Sequence, residues 1–292
     1  MQEDRFLLSR AVRDGGFTFL ELLVSLLLSG VVVSGLYMQL RTSIERARDH
    51  QIRLETFVQA QAVAQTIAAE IRMAGNGVPF DQKNFFIGAP NLSDNTVTEP
   101  IVVSDTSASK IALRVNEAGE VFLLAASFDP ASSATISLND VSLLEENDPI
   151  YISNSVVSGD DGLYAQVASV NSASNTITID SDYVASPGAV FAAGSTLEEV
   201  PVVTYESVNG TITRDSGFGP VFLAENGTLT LEYLDIDGNA LNLPLQQTDL
   251  VNALRSARIT ITLSSPRKMS TGETYAASVS QVIGIRNLDY LF

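Results

Sequence analysis

Residues 17–38 read FTFLELLVSLLLSGVVVSGLYM, 22 positions in which the only charge is Glu21. As a helix rising about 1.5 Å per residue the run is about 33 Å long, enough to cross about 30 Å of hydrocarbon. Such a segment is restricted to a helix with its surface out of water, because apolar surroundings leave the backbone no other partners. A carboxylate inside it is costly, so Glu21 points to a function and to a partner of opposite charge.

The segment in front of this run excludes an ordinary secretory signal, which places its small-residue cleavage site after the apolar stretch. Here the order is reversed. Residues 1–16 are short and polar, with Arg5, Arg10 and Arg13 offset by Glu3, Asp4 and Asp14, and Gly15 and Gly16 stand directly before the run. A cut after Gly16 keeps the apolar helix as the new N-terminus.

Gly16 followed by FTFLELLVS resembles the class III signal of type IV pilins and type II secretion pseudopilins. The resemblance implies that a membrane prepilin peptidase cleaves after Gly16 and N-methylates Phe17, and that Glu21 is the glutamate at mature position five, used in assembly. Cleavage creates an α-amine of ordinary pKa about 8, which a carboxylate of pKa about 4 can neutralise. Many major pilins carry a proline 22 residues into the mature chain; this sequence has Met38 there, leaving Gly30 and Gly35 as the weak points of the helix.

Beyond the run no proline occurs up to Ala74, and Phe57, Ala60, Ala64, Ile67, Ile71 and Ala74 recur at steps of three and four. That spacing predicts one apolar helical stripe packed on the protein's own sheet. AGNGVP (74–79) supplies glycines for a C-cap and a proline that stops the helix. After residue 80 the period becomes two, with predicted strands at 110–115, 120–128, 148–154, 200–208, 227–236, 256–265 and 278–288 and a hairpin at 162–180. Asn209-Gly210 and Asp237-Gly238 are hairpin turns by their residue type. The expected fold class is α+β, a long N-terminal helix followed by a mainly antiparallel β head. Its parts are a leader (1–16), a transmembrane and assembly helix (17–40), an amphipathic stem (41–76) and a head (77–292) with an insertion at about 105–199. The strands of 76–292 are expected to form a soluble core without the helix.

The head is acidic. Residues 76–292 hold nine Lys and Arg against 26 Asp and Glu within a net charge of −17, which argues against a nucleic-acid surface. The chain has no cysteine, and its one histidine, His50, lies in the helical stretch RARDHQIR and reads as solvated. No nucleophile and base are set around it, so no enzyme, cofactor or metal is expected. DIDGN (235–239) opens like a calcium loop, but it lacks the closing glutamate and has its glycine too early, so a turn is expected; Asp160-Asp161-Gly162 reads likewise. Asn91, Asn209 and Asn226 match the glycosylation pattern and are also read as turns.

AAEIRMAGNG, VVTYESVNGTITRD, RITITLSS and VIGIRNL together resemble the W-type minor pilins of type IV pili. That resemblance implies a protein held in the inner membrane by a single span with its head in the periplasm, later reaching the pilus and cell surface. It would join other minor pilins and the major pilin to initiate assembly and stand at the fibre tip. Two alternatives share these features: the J-type pseudopilin of type II secretion, and an adhesin or binding module whose 105–199 insertion meets a tip-associated protein. The reversed leader gives a direct prediction. The protein purified from membranes begins at an N-methylated Phe17 by intact mass and N-terminal sequencing, whereas a chain beginning at Met1 or cut after Met38 would exclude prepilin-type processing.

Overall fold

The structure, a computed structural model, describes residues 18–78, 99–153, 162–180 and 190–285, apart from the side chains of Gln247 and Val251. It divides into two compact units, 1–51 and 52–292. The first contains the opening part of helix α1 (Phe19–Met73). An 18-residue window of that helix has a mean hydropathy of 2.2 and none of it is buried, with Leu20, Leu22, Leu26 and Val31 all open. A helix apolar on every side is suited to lipid or to neighbouring apolar helices rather than to water.

In the second unit α1 becomes one-sided. Ile52, Thr56, Ala60, Val63, Ala64, Ile67 and Ile71 are buried, and the hydroxyl of Thr56 donates to the carbonyl of Ile52 at 2.8 Å, which removes the cost of burying it. Phe57, expected within the stripe, is 45% exposed. It lies one position round from Thr56, about 100° at 3.6 residues per turn, which takes it off the buried face. The helix ends at Met73, and Gly75 and Gly77 follow with φ of 83° and 85°. The Gly75 amide donates to Arg114 O at 2.8 Å, so the helix end is tied to the first strand.

After α1 the chain runs through β1 (Lys110–Arg114), β2 (Val121–Leu123), β3 (Thr135–Ser137), β4 (Pro149–Ser153), β5 (Leu163–Asn171), β6 (Thr176–Ile179) and β7 (Thr196–Glu199). It continues through β8 (Val202–Val208), β9 (Thr211–Asp215), β10 (Val221–Glu225), β11 (Gly227–Leu234), a short α2 (Gln247–Asn252), β12 (Ser256–Lys268) and β13 (Thr274–Gly284). Every strand ladder is antiparallel: one sheet is ordered β1-β8-β9-β10, a second β11-β12-β13, and a third β2-β7-β4-β5-β6-β3. The third sheet is built from residues 121–199. Residues 110–114, within the stretch expected as an insertion, instead pair with β8 in the first sheet.

Local chemistry accounts for the turns and registers. Asn209 and Gly210 have φ of 52° and 79° and join β8 to β9 with Val208 opposite Thr211, the two-residue turn their side chains favour. β12 alternates half-buried and buried positions from Ser256 to Ser265, sending Ala257, Ile259, Ile261 and Leu263 inward. These meet the α1 stripe in one core with Ile111, Tyr205 and Tyr233. The core therefore includes Ala60 to Ala74, a wall that a fragment starting at residue 76 would lack. The third sheet has its own core around Ile136, Ile150, Leu163, Phe191 and Leu197.

One polar link crosses the main core. Arg214 on β9 places Nε 3.0 Å from Glu70 of α1 and Nη2 2.6 Å from Glu117, with the arginine side chain only 15% exposed. Burial opposes the charge on Arg214, but its bonds to Glu117 and Glu70 outweigh that and raise its pKa. Tyr205 beside them is pushed well above the usual phenol range by burial and by the Glu70 charge, and stays neutral. Arg214→Ala is expected to destabilise this unit by about 3 kcal/mol, because Glu70 is left uncompensated. The double variant Glu70→Ala/Arg214→Ala should lose clearly less than the sum of the single losses in chemical denaturation.

Candidate functional site

The start of α1 is built by a threonine and a glutamate three residues apart. The Thr18 amide donates to Glu21 Oε2 at 3.1 Å, the Thr18 hydroxyl donates to the same oxygen at 3.2 Å, and the Glu21 amide donates to Thr18 Oγ1 at 3.3 Å. The Leu22 amide closes the first turn on Thr18 O at 3.2 Å. This is a reciprocal capping box, which satisfies otherwise unpaired donors of a first helical turn and places negative charge where the helix dipole favours it. The T-x-x-E spacing was present in the sequence, and the reading of Glu21 as an isolated carboxylate overlooked it. Gly16 and Phe17 lie outside the described residues, as do Asn91 and Asp160-Asp161.

The remaining sequence candidates resolve simply. His50 is an exposed helix residue. At DIDGN the Asp235 carboxylate accepts from the Asp237 amide at 2.9 Å, the Asn239 amide at 2.8 Å and Asn239 Nδ2 at 3.1 Å. The Asn239 bonds, with smaller help from Asp237 and Gly238, hold its pKa below the usual range. The motif is a closed turn whose first carboxylate is already engaged. Asn209 and Asn226 both sit at positive φ, 52° and 54°.

A feature the sequence reading did not find lies where the first and third sheets meet. A cleft of about 290 Å³ is lined by Glu146, Asp148, Glu199, Pro201, Gly217 and Phe218, among others. An adjoining hollow of about 340 Å³ shares Glu199, Pro201 and Phe218 and adds Glu117. Neither lining contains a lysine or arginine. Asp148 Oδ2 accepts from the Glu145 amide at 2.6 Å, yet burial raises its pKa. Glu199, at the end of β7, is pushed up to about 7 by burial first and then by repulsion from Asp148, Glu117 and Glu145.

The loop beside this cleft, SGFGP (216–220), presents an aromatic ring. Asp215 Oδ1 accepts from the Gly217 amide at 2.9 Å and the Gly219 amide at 3.1 Å, and both glycines have φ of 100°, a conformation that side chains resist. Phe218 between them is 87% exposed. In sequence, Gly-Phe-Gly after a strand reads only as a turn; the acidic pairs in LLEEND and TLEE become neighbours through β4–β7 pairing, which no local pattern reveals.

Comparison with known proteins gives one match. Residues 12–37 match the prokaryotic N-terminal methylation motif. No curated protein and no solved structure matches the chain. The motif makes the N-terminus pilin-like and implies processing by a prepilin peptidase and membrane association, and the exposed apolar helix at the same residues fits a single-pass anchor.

Glu199 gives the head a dependence on pH with a defined sign. Its folded pKa, about 7, is above the ordinary 4.5, so the folded state binds the proton more tightly. That contribution to stability is fully present below about 4.5 and is lost as pH rises through about 7. Thermal unfolding of the full chain in detergent at pH 5 and pH 8 should show a larger fall in Tm for the parent than for Glu199→Gln. Equal falls would mean that Glu199 titrates normally.

Proposed function

We propose that the protein is a minor pilin of the W type, processed by prepilin peptidase and taking part in the initiation of type IV pilus assembly at the fibre tip. The observation that carries this reading is the methylation motif at 12–37, set on an apolar helix that begins with Thr18 and Glu21 and continues into a β-rich head. This reading assigns no enzymatic role; His50, the one histidine, is exposed on α1.

In this reading Glu21 has two tasks. Within the chain it closes the capping box; in the assembly it neutralises the α-amine of Phe17, on its own chain or on a neighbouring subunit, and so fixes axial register. Leaving one member of a buried pair alone costs about 3–5 kcal/mol, enough to exclude a subunit from an apolar assembly. The two tasks separate by substitution, because glutamine can serve in a capping box but carries no charge. Glu21→Gln and Glu21→Ala should both be cleaved and stay in the membrane, and both should be missing from minor-pilin complexes and from sheared fibres. Normal incorporation of Glu21→Gln would confine the glutamate to helix capping. Mass spectrometry of sheared fibres against membranes separates this reading from the J-type pseudopilin of type II secretion, which would be found without surface pili.

A further inference from the structure

We propose that the loop between β9 and β10, together with the acidic cleft beside it, is a docking surface for an arginine-bearing loop of a partner protein, whose guanidinium is held between Glu199, Asp148 and the ring of Phe218. The proposal concerns the head and does not rest on the pilin reading.

Phe218, Val221 and Phe222 are 87%, 61% and 71% exposed, three large apolar side chains within five residues on one hairpin. Of these Phe218 lines both acidic hollows, and an exposed aromatic ring at a polar cleft with further apolar surface on the same hairpin marks an interaction site. Asp215 fixes the loop through the Gly217 and Gly219 amides, so Phe218 is already positioned and loses little freedom on contact.

The charges select the occupant. Among the described residues Glu117, Glu146, Asp148 and Glu199 line the two hollows without a lysine or arginine, and Arg214, which meets Glu117, is divided between it and Glu70. Burial first, and then repulsion from Asp148, Glu117 and Glu145, disfavours the charged form of Glu199, and an incoming cation offsets both. A second copy of this chain brings the same net charge of −17 and is repelled. A divalent cation fits poorly, because among the described residues no three Asp, Glu or His side chains are grouped to hold a metal. Carboxylates spread along a wall, with an aromatic face beside them, suit a planar guanidinium, which bonds carboxylates as a fork and stacks on rings. Strand addition is disfavoured: β10 is the outer strand of its sheet, but Pro220 precedes it and a bulge between Phe222 and Ala224 interrupts it. The contact is therefore through side chains.

The test places p-benzoylphenylalanine at position 218 of the full chain in its own cells, irradiates them, and sequences the cross-linked peptide. The expected product is an adduct with one other protein through a segment containing arginine, and its yield falls about fivefold or more when Glu199→Gln and Asp148→Asn are added. Asparagine keeps the acceptor for the Glu145 amide, and a cooperative melting curve with a Tm no lower than the parent's shows that the fold is intact. The cross-linked segment, made as a peptide and titrated into the purified chain in detergent, should bind about tenfold more weakly when its arginine is glutamate. No adduct, an adduct with a second copy, a segment without arginine, or a yield indifferent to the two neutral substitutions would each overturn the proposal.

Discussion

Residues 52–73 of α1 bury Ala60, Ala64, Ile67 and Ile71 in one core with the inward residues of β12, and the head is organised around that core. The same helix, from Leu22 to Leu40, carries no charged residue and offers no polar side on which water could be tolerated. One unbroken helix therefore serves two solvents. Its composition switches from apolar on all sides to apolar on one, with no proline or glycine break between Leu36 and Met73. That switch sets which residues can be anchor and which must be core.

Electrostatics adds a second level of order. The ion pairs of Arg214 with the largely buried Glu70 and the half-exposed Glu117 tie the stem helix, β9 and the segment after β1 together. Glu199 lines a hollow with Glu117 and is disfavoured as an anion by burial and by the charges of Asp148, Glu117 and Glu145. A head with an excess of carboxylates can keep most of them in water at little cost; these it holds together, at some cost to stability, beside a rigidly presented phenylalanine. Stability sacrificed at one place is commonly a sign of use.

Much of the fold was legible because its elements depend on neighbours in sequence. Alternation in SARITITLSS, the Asn209-Gly210 turn and the glycines after Met73 each acted locally and appear where their chemistry places them. The short strands β3 and β7 were not foreseen, since three or four residues such as TLEE carry no periodic signal; β7 pairs because β4 and β2 offer it edges, and β3 because β6 does. Phe57 was misplaced by one helical position, for apolarity alone does not say which side of a helix is inside. The capping box at Thr18 and Glu21 could have been read from its spacing, but the membrane-like run drew attention to the charge rather than to the hydrogen bonds. The acidic cleft could not have been read, because it joins residues from 117 to 218 through long-range pairing.

The claim that one helix passes from a lipid-like to a water-facing environment is tested most directly by spin labels placed singly along residues 19–74 of the full chain in lipid bilayers. Accessibility to oxygen and to a water-soluble relaxation agent would be read at each position. The account predicts high oxygen and low polar accessibility at 20–38 with no helical period, and beyond 52 a period of about 3.6 with Ile52, Ala60, Ile67 and Ile71 at the minima for both agents. Polar accessibility throughout 20–38, or a single buried face running through that segment, would contradict it.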